Sequence, residues 1–91
     1  AKPEWWNDEE LKALSARVLR AAPNEESAID MRAAVLGGVG GDAWEAGPRS
    51  AAELKEAATH YDRSAAMCSA PAWKAESSRL AYLCRSEAEA M

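Results

Sequence analysis

Apolar side chains recur every three or four residues along four segments of the chain, which is the spacing of one face of an α-helix. The first of these stripes consists of Leu11, Leu14, Val18 and Ala22. Asn7 stands before the stripe as a favourable N-cap, and Glu10 occupies the position that completes a capping box. Pro23 then stops the helix, because its ring clashes with the preceding turn. The pattern predicts a first helix over residues 8–22.

The second stripe is shorter and ends in a run of glycines. Asn24 precedes two glutamates and an apolar face that contains Ile29, Ala33 and Leu36, which predicts a helix over residues 25–36. Gly37 ends this helix. All five glycines of the chain fall between residues 37 and 47 without any period, so we expect a Gly-rich loop over residues 37–49.

The third and fourth stripes follow this loop. Ser50 and Glu53 have capping-box spacing, and the apolar positions behind them predict a third helix over residues 51–68. Pro71 suits the first turn of a fourth helix that continues almost to the C-terminus. The seam of this last helix consists of Trp73, Ser77, Leu80, Cys84 and Ala88.

The turns between these helices decide the fold class. Residues 22–24 and 69–71 are such short connections that the helices they join must pack antiparallel. We therefore predict an all-α fold of about four helices in two antiparallel hairpins. Residues 1–91 form a single helical domain in this interpretation, with residues 1–6 as an N-terminal arm.

The composition indicates a thin, closely packed core. Hydrophobic residues make up 48% of the chain, but 22 of them are alanines and only 11 are Leu, Ile or Val. Phe is absent, whereas Trp occurs four times. Alanine methyl groups bury little apolar area, so the helix axes must approach closely for the side chains to fill the interior.

Charge and cysteine content limit the partners and the cellular compartment that we expect for this chain. Eleven basic residues against fifteen acidic ones give a net charge of -4, which is the wrong sign for a nucleic-acid partner. No apolar run approaches the roughly 20 residues of a membrane span. Cys68 and Cys84 are too few for a disulfide framework, which favours a reducing compartment. We expect a soluble protein of the cytoplasm or, because the chain begins with Ala1, of an organelle interior after cleavage of a targeting peptide.

The sequence offers few groups for catalysis or metal binding. His60 is the only histidine and has no cysteine or second histidine at ligand spacing, so we expect a partly exposed helix residue. Helical geometry places Cys68 and Cys84 too far apart for a disulfide, and small buried thiols are the expectation. The acidic pairs lie at helix starts or in the C-terminal tail. We predict neither catalysis nor a cofactor.

Three segments resemble the tetratricopeptide repeat, a helical-hairpin repeat. The segment from Ser15 to Asn24 is similar to the end of a second helix with its Pro-Asn turn, and residues 57–67 resemble the same helix again. Leu80, Ala81 and Cys84 are similar to the start of the following first helix. Tyr61 follows Ser15 by 46 residues, and the Gly-rich loop accounts for the excess over the family period of about 34.

The resemblance implies a protein-binding surface. Tetratricopeptide arrays bind partners along a concave face lined by first helices, and position by position this face corresponds to Asp30 and Ala34, then Ser78, Tyr82 and Arg85. The Lys and Asn residues that clamp a peptide carboxylate in some members are missing at these positions. An unrelated four-helix bundle is the alternative fold.

The tryptophans suggest further contacts. Trp6 has the spacing of a hydrophobic staple with Leu11, and Trp73 belongs to the fourth seam. Trp5 in the arm and Trp44 in the loop have no obvious internal partner, so each either contacts a partner protein or folds back on the core.

Three classes of function remain. A tetratricopeptide-like interaction module predicts an independently folded helical domain that binds protein partners. A structural or accessory subunit of a larger, possibly organellar, assembly predicts low stability alone and tryptophans buried against other chains. A small enzyme or cofactor carrier predicts a cluster of polar groups, which the sequence does not reveal.

Overall fold

In the computed structural model, residues 7–37 and 49–90 are described, and they form four α-helices and no strand. The helices are α1 (Asp8–Ala21), α2 (Glu26–Gly37), α3 (Ala51–Met67) and α4 (Pro71–Glu89). The predicted all-α class and the four helices are therefore confirmed. The arm at residues 1–6, with Trp5 and Trp6, and most of the Gly-rich loop, with Trp44, lie outside the described residues.

Side-chain caps begin α1 and α3 as the sequence predicts. The Asn7 side chain accepts a hydrogen bond from the Glu10 amide at 3.1 Å. Ser50 and Glu53 form a reciprocal capping box, in which each side chain accepts a hydrogen bond from the other residue's amide. These bonds satisfy amide donors that have no partner inside the helix, so they fix both starting points.

Four other helix ends differ from the prediction by one residue each. The first helix ends at Ala21 and the third at Met67, and the second continues through Gly37. The second also begins at Glu26, later than predicted, because Asn24 belongs to the preceding turn. The side-chain oxygen of Asn24 lies 3.5 Å from Arg63 Nη2 of α3.

The helices pack mainly in chain order, with α1 on α2, α2 on α3 and α3 on α4. One core cluster joins the last three helices, and α3 is therefore covered on two sides. Its members are Ala33, Leu36, Ala57, Ala58, Tyr61, Ala81 and Cys84, with Leu80 packed at the edge. Most of these side chains are small, which lets the helix axes approach closely as the composition predicts.

Two apolar residues expected in the interior are more exposed than predicted. Leu14 of α1 is 39% exposed, whereas the neighbouring Ser15 is fully buried. Trp73 in the first turn of α4 is also 39% exposed, although its Nε1 donates a hydrogen bond to Ser64 Oγ at 3.3 Å. In both cases a serine next to the bulky residue, Ser15 or Ser64, is fully buried, and its small side chain lets the helices pack closely.

No helix within the described ranges is long and apolar enough to cross a membrane.

Candidate functional site

The exposed side of α4 carries the predicted partner-binding residues of that helix. Buried residues at helical spacing turn one side of α4 toward α3: Ser77, Ala81, Cys84 and Ala88. Ser78, Tyr82 and Arg85 follow each other at intervals of four and three residues, so they share another side, which is exposed. Tyr82 is 69% exposed and the adjacent Leu83 is 46% exposed. Leu83 points about 100° further around the helix than Tyr82, so these two residues lie at the two edges of the outward side of α4. We call the exposed residues Ser78, Tyr82, Leu83 and Arg85 the α4 face.

An ion pair orients the basic residue of the α4 face. Arg85 Nη2 lies 2.6 Å from Asp62 Oδ2 of α3, and both side chains are about half exposed. The pair links α3 to α4 and holds the guanidinium near Tyr82, which lies three residues earlier on the same helix. Arg85 therefore combines a structural contact with its place on the exposed face.

Asp30 lies on α2 and not on the α4 face. The pKa of the buried Tyr61 phenol is raised by burial first, then by Cys84 and by the charge of the nearby Asp30. Its Oδ1 is buried and has no hydrogen-bond partner among the residues that the structure describes. The structure thus brings three predicted residues together on α4 and places Asp30 beside the core cluster.

A second group of polar residues joins α1, α2 and α3, and sequence reasoning missed it. Arg32 of α2 donates from Nε to Glu56 Oε2 of α3 at 3.1 Å. Its Nη1 donates to the Lys12 carbonyl of α1 at 2.8 Å and to Ser15 Oγ at 3.1 Å. One guanidinium therefore connects three helices, and its side chain is only 15% exposed.

His60 is buried, at 9% exposure, and the prediction of a partly exposed histidine is wrong. Its Nε2 lies 3.0 Å from Glu56 Oε2, and its Nδ1 has no partner among the described residues. The physical reason is the central position of α3. Neighbours on two sides bury a wider arc of this helix than the single apolar stripe indicates.

Two glutamates of this polar group have perturbed pKa values. Burial acts to raise the pKa of Glu56, but its hydrogen bonds with His60 and Arg32 outweigh burial and lower it. The pKa of Glu53 is lowered chiefly by the Lys12 ammonium, 2.9 Å away, and by the hydrogen bond from the Ser50 amide. Both carboxylates are therefore held in their charged form, as expected for groups that join helices through ion pairs.

The cysteines are free thiols, and no group of three or more His, Cys, Asp or Glu in the described part of the chain has the geometry of a metal site. Cys84 is buried in the core cluster, as predicted, and burial raises the pKa of its thiol. Cys68 is only partly buried, which departs from the expectation of two buried thiols. It ends α3, where fewer neighbours cover it.

Comparisons with protein families, with characterised proteins and with solved structures gave no match to this chain.

Proposed function

We propose that this chain is a non-catalytic protein-protein interaction module of tetratricopeptide-like type, and that the α4 face docks its partner. The observation that carries this proposal is the exposure of Tyr82 and Leu83, which lie at the two edges of the outward side of a helix that packs mainly on α3. Tyrosine and arginine, which the α4 face presents as Tyr82 and Arg85, are enriched among the anchor residues of protein interfaces. The chain-order packing of the helices also supports an open array, as opposed to a closed bundle.

The partner chemistry follows from the shape and composition of α4. The helix has 19 residues and is therefore roughly 28 Å long, which suits a second helix laid along it. Tyr82 and Leu83 offer apolar area to that partner, while Arg85 is already held by Asp62 and loses little side-chain entropy on binding. We infer a partner helix whose apolar side chains contact Tyr82 and Leu83.

A selection from a peptide library tests this function. The full chain is immobilised and used to select binders from a phage-displayed library of helix-forming peptides. We expect the enriched peptides to share apolar residues at helical spacing, and their affinity to fall about tenfold or more for Tyr82→Ala, the usual cost of an interface anchor.

The matched control is Ser27→Ala, which changes an exposed position of α2 and leaves the α4 face unchanged. It should bind the selected peptides as the parent chain does. Failure to enrich any peptide, or binding that is indifferent to both Tyr82→Ala and Leu83→Ser, contradicts the proposed docking surface.

A second candidate function is that of an accessory subunit in a larger assembly. The specific observation in its favour is that Leu14 of α1 and Met67 of α3 are exposed in addition to the α4 residues. Light scattering after size exclusion, with far-ultraviolet circular dichroism of the same peak, separates the two. A helical monomer supports the independent module, whereas a self-associating or unfolded chain supports the subunit.

The free state of both cysteines supports our proposal of a reducing compartment for either function.

A further inference from the structure

An open cleft of about 370 Å³ lies among α1, the turn after it, α2 and α3, and no residue of α4 lines it. The lining of this cleft has a polar part and an apolar part. The polar part contains Arg20, Arg32, Arg63 and Glu56, and the apolar part contains Ala16, Leu19 and Pro23. Three guanidinium groups thus face one carboxylate, which leaves two positive charges in excess in a chain whose net charge is -4.

Two of these guanidiniums are fixed in position before any ligand arrives. Arg32 is held by Glu56, by the Lys12 carbonyl and by Ser15 through its Nε and Nη1. Arg63 Nη2 donates to the Pro23 carbonyl at 3.0 Å. Such contacts remove most of the side-chain entropy that ligand binding would otherwise cost.

Donors remain on all three guanidiniums after these contacts are made. Arg32 Nη2, and Nε and Nη1 of Arg63, donate to no acceptor within residues 7–37 and 49–90. The Arg20 side chain makes no hydrogen bond or ion pair in these ranges, and it is exposed at the rim of the cleft. Guanidinium groups with unused donors are the preferred partners of phosphate and carboxylate oxygens.

The single carboxylate does not neutralise the cleft. Glu56 Oε2 already accepts a hydrogen bond from Arg32 and contacts His60, so its negative charge interacts mainly with these two side chains. The two remaining positive charges match the charge of a phosphate monoester near neutral pH, which is between about -1.5 and -2. A monocarboxylate would leave one of them uncompensated.

We propose that this cleft binds a phosphate monoester, with the phosphate on Arg20, Arg32 and Arg63 and the organic group against the apolar wall. Leu19, Ala16 and Pro23 form the wall beside the guanidiniums, so they are placed to cover the part of the ester that carries no charge. The proposal is independent of the α4 face, because the two surfaces share no residue.

The test is a titration of the full chain with phenyl phosphate and with inorganic phosphate at low ionic strength, followed by nuclear magnetic resonance of the arginine Nε–H groups. We expect the signals of Arg20, Arg32 and Arg63 to shift, and phenyl phosphate to bind several-fold more tightly than inorganic phosphate because its ring contacts the apolar wall. Arg20→Gln should weaken phenyl phosphate about tenfold, the loss of one charge-assisted hydrogen bond.

Arg17→Gln is the matched control. It removes the same charge from the same helix one turn earlier, at an exposed position that does not line the cleft. Equal weakening by Arg17→Gln and Arg20→Gln overturns the proposal, because binding would then depend only on the net charge of the chain. Unchanged arginine signals would also overturn the proposal, and so would equal affinity for phenyl phosphate and inorganic phosphate.

A phosphotyrosine peptide as a third probe distinguishes two sources of the same chemistry. Much tighter binding of the peptide than of phenyl phosphate indicates a phosphorylated side chain of a partner protein. Equal affinity, with the same loss in Arg20→Gln, indicates a free small phosphate ester. Both results support the cleft as the site.

Discussion

The contact between α3 and α4 and the attachment of α1 are built in different ways. The first consists of buried small residues around Tyr61, which remove apolar surface from water. In the second, Ser15 is the one buried residue within residues 9–21 of α1, and ion pairs and hydrogen bonds to Lys12 and Ser15 contribute to the connection. Partly exposed ion pairs each contribute about 1 kcal/mol or less, whereas burial of an aromatic side chain contributes several kcal/mol. We therefore expect α3 and α4 to form the stable part of the molecule and α1 to open first.

The largest expected effect is that of Tyr61→Ala. Tyr61 is buried where three helices meet, so its truncation leaves a cavity and should lower the free energy of unfolding by about 3–5 kcal/mol. Tyr82→Ala makes the same change on the α4 face and should cost less than about 0.5 kcal/mol. Urea unfolding followed by circular dichroism measures both values. Equal losses would mean that Tyr61 is not a principal core residue.

Arg32→Gln should weaken the attachment of α1 by about 1–2 kcal/mol, since it removes charge-assisted hydrogen bonds to α1 and α3. The expected result is an increase of about tenfold in trypsin cleavage after Arg20, with cleavage after Arg79 of α4 much less affected. Arg17→Gln provides a variant of equal charge outside the network. An equal increase at both cleavage sites would show that α1 and α4 open together.

Acidification should destabilise the α1 attachment in particular. The pKa values of Glu53 and Glu56 lie below their ordinary value of 4.5 in the folded chain, so the unfolded chain binds protons more readily. The free energy of unfolding should therefore decrease as the pH falls from about 5 through the folded-state pKa values, by up to about 1 kcal/mol for each partly exposed pair.

The double variant Glu53→Gln, Glu56→Gln should show a flatter dependence of stability on pH over this range. Glu89→Gln at the exposed end of α4 controls for the loss of a carboxylate and should keep the parent slope. If the double variant keeps the parent's slope of stability against pH, groups other than Glu53 and Glu56 cause the acid sensitivity.

The smallest effect is expected for the ion pair on the α4 face. Arg85→Gln and Asp62→Asn should each lower the free energy of unfolding by less than about 1 kcal/mol, because both side chains are half exposed. A double-mutant cycle from thermal unfolding isolates their interaction. A coupling of several kcal/mol would mean that the α3–α4 contact depends on charge as strongly as the α1 contact does.

Helix positions were largely predictable from the sequence because their signals are local. Asn7, Ser50 and Pro71 act within one turn of the helices they begin, and the structure has them in those roles. The two ends of α2 are each in error by one residue. At its start, a turn that makes a long-range contact through Asn24 can displace the first helical residue.

The polar network and the cleft were not predictable, because they depend on contacts between distant parts of the chain. Arg32 reaches Lys12 and Glu56, which lie 20 and 24 residues away. Nothing in the local pattern around these residues indicates that they meet. The burial of His60 has the same origin, since it follows from the packing of α3 between two neighbours.

The α4 face was predicted in part. Ser78, Tyr82 and Arg85 do share an exposed surface, because helical spacing alone brings them together. Asp30 does not join them, since its place depends on how α2 packs. Partner contact at Trp5 and Trp44 stays a prediction.

Hydrogen exchange of the backbone amides in the full chain tests the difference between the two contacts most directly. We predict the slowest exchange for amides around Tyr61 and Ala81, and markedly faster exchange throughout residues 8–21 of α1. Exchange of α1 at the same rate as α3 would contradict the account, because α1 would then open only together with the core cluster.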